Sequence, residues 1–207
     1  MTITIYVEGG GDSKELHSRC REGFRKLIEK CGFQGSMPKI IACGGRSQTF
    51  EMFQIANSNQ NGDAILLVDS EEPVSGDDFT PNSSIGWDHL GNTDHWSRPA
   101  NARNNQAQIM TTCMESWIMA DHQAIRNFYG SCVHETSLFP VQNLETRLRH
   151  DVQSQLVHAT ANCGVNRGYK KGEHSFKLLS SLNPDTLSNH LKNFHRFRQT
   201  LGEVLTD

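Results

Sequence analysis

The sequence lacks the long apolar runs that mark membrane proteins and the basic leader that marks secreted ones. Its longest apolar run, residues 64–68, is only as long as one strand, whereas a membrane span needs about 20 apolar residues. The N-terminal segment, MTITIYVE, has no basic stretch followed by a cleavage site. We therefore expect no signal peptide, no membrane association and a cytoplasmic location.

Paired metal-ligand motifs are also absent. The six cysteines are scattered and form no C-x-x-C pair, which argues against structural zinc. The ten histidines form no H-E-x-x-H, which excludes zincin chemistry. We expect the cysteines to be reduced thiols, several of them in the core.

Several nucleotide and hydrolase motifs are missing as well. The glycine run at residues 9–11 is not followed by the rest of a Walker A motif, and it lacks the third glycine of a dinucleotide fingerprint. No G-x-S-x-G elbow is present, which weakens a serine-nucleophile hydrolase. A receiver-like domain would need an acidic pair after its first strand, where this chain has glycines.

The patterns that are present predict an α/β protein. Apolar runs predict four strands, and amphipathic segments predict helices between the first three of them. Alternation of strands and helices is typical of a parallel sheet. The predicted strands are residues 3–7, 38–43, 64–68 and 108–113, and the first two helices run from Asp12, read as a cap, to Gly32 and over 47–58.

The domain organisation predicted from the chain has two parts. Residues 1–130 form the α/β core and include a long insertion loop at 73–106, whose Gly-, Asn- and Pro-rich composition favours a functional loop. Residues 131–207 form a helical extension packed on this core. Asp121 is placed to cap a short helix, and an apolar stripe from Leu187 to Leu205 predicts one final helix that begins at Pro184.

Carboxylates stand where two predicted strands end. Glu8 follows the first strand, and Asp69 and Glu71 follow the third. The carboxyl ends of parallel strands line one edge of the sheet, and neighbouring strands lie about 4.8 Å apart. Such carboxylates can share one hard cation, and Mg²⁺ or Mn²⁺ suits a site that substrate phosphate completes.

The glycines after Glu8 fit this hypothesis. Without Cβ atoms, Gly9 and Gly10 would let a phosphate or a nucleic-acid backbone approach the carboxylates closely. The plainer alternative is that they form only a tight turn between strand and helix. A charged residue directly after an apolar strand is costly unless it is used, which favours a functional Glu8.

Positive charge is concentrated towards the C-terminus. The formal net charge of the chain is −3, but residues 167–198 contain seven basic and only two acidic residues. This asymmetry fits a basic region that meets phosphates, but composition alone slightly favours the plainer alternative of a solvated helix face.

Two of these segments resemble motifs of the TOPRIM domain, which topoisomerases, bacterial primases and OLD-family nucleases share. Residues 5–12 (IYVEGGGD) resemble its strand-terminal Glu-Gly, and residues 66–71 (LLVDSE) its Asp-x-Asp. The chain most resembles a small standalone TOPRIM-like family, a domain of unknown function. Further similar segments, which extend the resemblance over nearly the whole chain, are WDHL at 87–90, MESW at 114–117, AD at 120–121, YKKGEH at 169–174, LL at 178–179 and NP at 183–184.

The resemblance implies a TOPRIM-like (Rossmannoid) fold and a set of site residues. It implies metal binding or acid–base chemistry for Glu8 and metal binding for Asp69. This chain has Glu71 at the second acidic position, where the family has Asp, and Glu72 is an alternative ligand. The resemblance further implies a second-metal role for Glu115 and Asp121. We assign phosphate contact or charge stabilisation to Lys170, Lys171 and His174, with a solvated lysine pair beside a helix start as the alternative.

The leading hypothesis is a Mg²⁺- or Mn²⁺-dependent nuclease that cleaves DNA or RNA. The resemblance implies an effector of bacterial anti-phage defence with an AAA- or ABC-type ATPase as partner, and a homo-oligomer is compatible with the sequence. One alternative is a catalytically weak regulatory subunit that docks on an ATPase. Another is a phosphoryl-transfer enzyme that acts on a nucleotide.

Overall fold

The central feature of the protein is a four-stranded, all-parallel sheet. A computed structural model describes residues 3–58, 64–164 and 168–206. Its strands, in the order β2-β1-β3-β4, are β1 (Thr4–Val7), β2 (Lys39–Ala42), β3 (Ala64–Asp69) and β4 (Ala107–Met110). The predicted α/β fold with a parallel sheet is confirmed.

The strand order changes direction between β1 and β3. The chain moves from β1 outwards to β2, returns to β3 on the other side of β1, and continues outwards to β4. In open α/β sheets, ligands bind outside the carboxyl ends of the strands at such a switch point. The topology therefore marks the end of β1 and the end of β3 as the place to look for a site.

Helices cover both faces of the sheet, as the apolar run in β3 predicts. All six residues of β3 are buried. Ile65 and Leu67 belong to one core cluster, whereas Leu66 and Val68 belong to a second one on the opposite face. The first cluster includes residues of α1 (Lys14–Ile28), α4 (Met114–Ala120) and α7 (Ser175–Ser181), and the second includes residues of α2 (Arg46–Ser58) and α3 (Ile85–Asp94).

The C-terminal half adds helices to the first cluster. Trp117 of α4 packs edge-on against Phe194, with ring centroids 4.8 Å apart. Residues from both halves of the chain thus share one core. The remaining α-helices of the described residues are α5 (His122–Tyr129), α6 (Arg149–Thr160), α8 (Pro184–His190) and α9 (Lys192–Thr206). None of the helices in the described ranges is long and apolar enough to cross a membrane.

Three local predictions were wrong. Helix α1 is capped by Ser13, whose Oγ accepts from Leu16 N at 3.4 Å, and not by Asp12. The insertion at residues 73–106 is not only a loop, because it contains α3. The predicted final helix is divided into α8 and α9, since Leu191 has extended backbone angles.

The cysteines differ from the prediction at one pair. Cys132 and Cys163 form a disulfide, whereas Cys20, Cys31, Cys43 and Cys113 are buried free thiols. The expectation of reduced thiols is therefore wrong for this pair. The two residues are 31 apart in sequence, so no short spacing motif indicates that they meet. The dipeptide Asn61-Gly62 is a sequence signal for a turn. It lies outside the described residues, as does Arg167 of the basic segment.

Candidate metal and phosphate site

Three carboxylates meet at the switch point of the sheet. Glu8 follows β1, Asp69 ends β3, and Glu71 comes two residues later. One carboxylate oxygen from each of the three lies within 4.8 Å of the others. We call Glu8, Asp69 and Glu71 the acidic cluster.

Backbone contacts hold the acidic cluster in place. The backbone N–H of Asp69 donates to Glu8 Oε2 at 3.0 Å, which fixes the two neighbouring strand ends relative to each other. Asp69 Oδ1 accepts from the backbone N–H of Met114 at 2.8 Å. Glu71 has a positive φ of 65°, which is uncommon for a residue with a side chain. Its N–H donates to the carbonyl of Thr112 at 2.9 Å, so this turn is tied to the segment after β4.

The structure distinguishes Glu71 from Glu72, the two candidate ligands after β3. Glu71 belongs to the acidic cluster, whereas Glu72 is exposed and takes no part in it. The carbonyl of Glu72 accepts from Ser70 Oγ at 2.6 Å, which closes the turn and leaves Glu71 facing the cluster.

Burial disfavours the charged forms of Asp69 and Glu8. Burial raises the pKa of Asp69 well above its ordinary value, and the charges of Glu8 and Glu115 raise it further. Burial also raises the pKa of Glu8, against the lowering effects of the Asp69 N–H and of Arg46. A divalent cation among these oxygens would favour the charged forms, and three carboxylates are a donor set that suits Mg²⁺ or Mn²⁺.

A cavity of about 290 Å³ lies beside the acidic cluster. Its walls include Glu8, Asp69, Glu115 and Lys171, together with the glycine turn after β1 and the apolar side chains Leu16, Met114 and Phe176. The turn comes close to its surroundings: His17 Nε2 lies 2.5 Å from the carbonyl oxygen of Gly11. The predicted substrate-binding residues Gly9 and Gly10 both line this cavity.

Glu115 lines the cavity, but the structure gives its carboxylate other partners. It is fully buried, and its Oε1 accepts from the Tyr169 hydroxyl at 2.8 Å. Its Oε2 accepts from Gln153 Nε2 at 3.2 Å. The Tyr169 hydroxyl also lies 2.8 Å from Ser175 Oγ. A buried chain of hydrogen bonds thus joins Glu115 to Ser175, another residue of the cavity wall.

Asp121 is not among the residues of the acidic cluster or of the cavity wall. Its Oδ1 accepts from Ala124 N at 3.0 Å, which caps α5 as predicted. Its Oδ2 accepts from the backbone N–H of Asn183 at 2.8 Å. Both oxygens thus bind backbone groups, which corrects the expectation that Asp121 belongs to a second metal site.

The three basic candidates, Lys170, Lys171 and His174, also differ in whether they line the cavity. Lys171 is exposed and lines the cavity, whereas Lys170 and His174 are not among its lining residues. His174 is buried, its Nδ1 lies 3.0 Å from the Tyr129 hydroxyl, and burial lowers its pKa. Its surroundings correct the expectation of a phosphate contact, since its ring packs against Phe128 and Tyr129.

Two arginines beside the acidic cluster were missed by the sequence analysis. Arg46 is the first residue of α2, the helix that follows β2, and its Nη1 is 3.9 Å from Glu8 Oε2. The rule that strand ends share one edge would have found it. Arg149, the first residue of α6, forms an ion pair with Glu71. Its sequence context carries no signal for this contact, because the pairing depends on where α6 packs.

Fold and site together define an α/β protein with an acidic cluster at the switch point of a parallel sheet. The chain belongs to the family described as Domain of unknown function (DUF4276), which it matches over residues 7–202. No curated protein and no solved structure matches it. The matched segment contains the whole acidic cluster and every residue that lines the cavity.

Proposed function

We propose that this protein is a Mg²⁺- or Mn²⁺-dependent nuclease of the TOPRIM type that cleaves phosphodiester bonds in DNA or RNA. The observation that carries the proposal is the meeting of Glu8, Asp69 and Glu71 within 4.8 Å at the switch point of the sheet. A divalent cation bound there would polarise the phosphate and lower the pKa of the attacking water.

The chain's own residues would position the substrate. The contact between Asp69 N–H and Glu8 holds two of the ligands at a fixed spacing. The glycine turn forms a cavity wall without side chains, past which a nucleic-acid backbone can approach. Lys171 stands on the same wall and would contribute positive charge towards the phosphate.

The biological setting in this proposal comes from the TOPRIM resemblance. We propose that the protein acts in the cytoplasm as an effector of bacterial anti-phage defence, with an AAA- or ABC-type ATPase as its partner. Co-purification of the protein with such an ATPase from its native host tests this part separately from the chemistry.

The test of the chemistry is cleavage of labelled DNA and RNA in Mg²⁺ or Mn²⁺, with EDTA as the metal-free arm. Glu8→Gln keeps the shape of the side chain but removes a ligand charge, and we expect it to reduce cleavage by about 100-fold or more. Glu72→Gln is the matched control, since it makes the same change at an exposed neighbour of the acidic cluster. Equal cleavage by wild type and Glu8→Gln would refute the nuclease proposal.

One observation favours a second candidate, a regulatory subunit with a weak metal site. Glu71 is already paired with Arg149, and Arg46 lies near Glu8, so cations of the chain itself partly neutralise the acidic cluster. Calorimetry with Mn²⁺ separates the two functions: a subunit of this kind would show no measurable ion binding and would still associate with the ATPase.

A further inference from the structure

In the described part of the chain, the cationic side chains beside the acidic cluster are Arg46, Arg149 and Lys171. Arg46 is held by other groups. Its Nε donates to Asp94 Oδ1 at 3.0 Å, and its Nη1 donates to the carbonyl of Asp69. Its guanidinium lies 5.0 Å from the centre of the Trp96 ring, and its side chain is only 13% exposed. Arg46 therefore serves to join α2 to the end of β3.

Arg149 is placed differently. Its side chain is 31% exposed and forms an ion pair with Glu71, which is itself 33% exposed. Its partner is thus a member of the acidic cluster at the open side of the site. Lys171, the third cation, is exposed on the cavity wall. Two accessible positive charges therefore flank the three carboxylates.

We infer that Arg149 is a phosphate-binding residue of this site: it holds Glu71 in the free protein and contacts a phosphate of the nucleic acid once Glu71 binds a cation. The inference rests on the proposed function and adds a residue to it. A planar guanidinium binds a carboxylate and a phosphate with the same fork of N–H groups, so one can replace the other.

The exchange of partners is physically reasonable. An ion pair that is this accessible to water contributes little to stability, so releasing it costs little. A cation bound to Glu71 would compete for the same carboxylate and leave Arg149 with an unbalanced positive charge. A phosphate held at the acidic cluster would then be its nearest anionic partner.

The chain offers a matched control for this residue. Arg126 forms an ion pair with Glu135 at 2.9 Å, with side-chain exposures of 36% and 54%. It lies on α5, and neither it nor Glu135 belongs to the acidic cluster or lines the cavity. Arg126→Gln therefore removes the same charge and the same kind of ion pair away from the site.

The experiment measures binding of short fluorescent single-stranded DNA and RNA by anisotropy at several salt concentrations, with Ca²⁺ in place of Mg²⁺. We expect Arg149→Gln to weaken binding about tenfold and to reduce the slope of log K against log salt by about one. Arg126→Gln should change neither. In calorimetry, Arg149→Gln should bind Mn²⁺ at least as tightly as wild type, because Glu71 has lost a competing partner.

Arg149→Lys controls for a folding defect, since it keeps the positive charge but loses the planar fork of N–H groups. It should retain the salt slope while binding more weakly. An unchanged salt slope in Arg149→Gln would overturn the inference, and so would a reduced slope in Arg149→Lys. Faster cleavage by Arg149→Gln would also overturn it, because Arg149 would then block the site. Failure of the proposed function reads out separately, as absence of Mn²⁺ binding and of metal-dependent cleavage in the wild-type protein.

Discussion

Gly10 shows how closely the turn beside Glu8 is built. It has a φ of 90°, and a Cβ at this position would lie 2.9 Å from the Cα of His17. An alanine would therefore meet both an unfavourable backbone conformation and a contact with backbone that cannot move aside. We expect Gly10→Ala to lower the free energy of unfolding by about 2 kcal/mol or more, measured by urea denaturation.

Gly35 provides the control for this substitution. It has no positive φ, and a Cβ there would meet nothing within 4 Å. Gly35→Ala should change the free energy of unfolding by no more than about 0.5 kcal/mol. A similar small effect at Gly10 would mean that the turn relaxes easily and does not hold its shape beside Glu8.

Sequence reasoning reached some residues of the site because their position follows from strand geometry alone. Glu8 and Asp69 each end an apolar run, and parallel strands place such ends together. The choice between Glu71 and Glu72 depends on the positive φ of Glu71, which no sequence pattern announced. Arg149 depends on the packing of a helix that is distant in sequence.

At the scale of secondary structure elements, the division between α8 and α9 has a long-range cause. The apolar stripe runs from Leu187 to Leu205 without interruption in helical phase, which predicts one helix. Helix α9 nevertheless begins anew at Lys192. The carboxylate of Glu145 accepts from the backbone N–H groups of Lys192 and Asn193 at 2.8 and 3.0 Å. A cap supplied from another segment is invisible to local patterns.

Arg196 of α9 organises the insertion that was predicted as a long loop. It is fully buried, and burial lowers its pKa to about 10. Its guanidinium donates to the Ser83 carbonyl at 3.0 Å and to the Ala107 carbonyl at 2.8 Å, before and after α3. Composition placed Arg196 in the basic segment expected to meet phosphates. The structure instead uses its charge to bind backbone carbonyls.

Replacement of Arg196 should therefore destabilise the fold. Arg196→Met keeps much of the apolar stem but leaves several buried carbonyls without a donor, and we expect a loss of about 3 kcal/mol in the free energy of unfolding. Arg198→Met is the control two residues away, where the side chain is partly exposed and pairs with Asp185. It should cost less than about 1 kcal/mol. Equal losses in urea melts would contradict the role given to Arg196.

At the scale of the whole molecule, the sheet and its helices could be predicted, but the contacts that join distant segments could not. Apolar runs and helical periodicity are local signals, and they located the four strands. The Cys132–Cys163 disulfide links residues 31 apart in sequence, and its pairing follows from the packing of α6. The core cluster to which residues before and after residue 130 both contribute is likewise a property of the assembled chain.

The acidic cluster should make the whole molecule less stable without a cation than with one. Burial raises the pKa of Asp69, and the like charges of Glu8 and Glu115 raise it further. Asp69→Asn keeps an oxygen to accept from Met114 N and removes the repulsion. In EDTA at pH 8 we expect this variant to unfold at a higher temperature than wild type, by about 2–4 °C for each kcal/mol gained.

With Mn²⁺ present, wild type should instead unfold at a higher temperature than Asp69→Asn. Binding to the native state stabilises wild type by about 2.7 kcal/mol at an ion concentration 100 times the dissociation constant, and Asp69→Asn should lose this gain with its ligand charge. Asp77→Asn makes the same change at an exposed position, so it should melt like wild type in EDTA and keep the Mn²⁺ shift. Calorimetric melting curves of the three proteins, recorded in EDTA and in Mn²⁺, test both expectations. If Asp69→Asn were less stable in EDTA and still responded to Mn²⁺, the buried carboxylate would be a structural group and not a ligand.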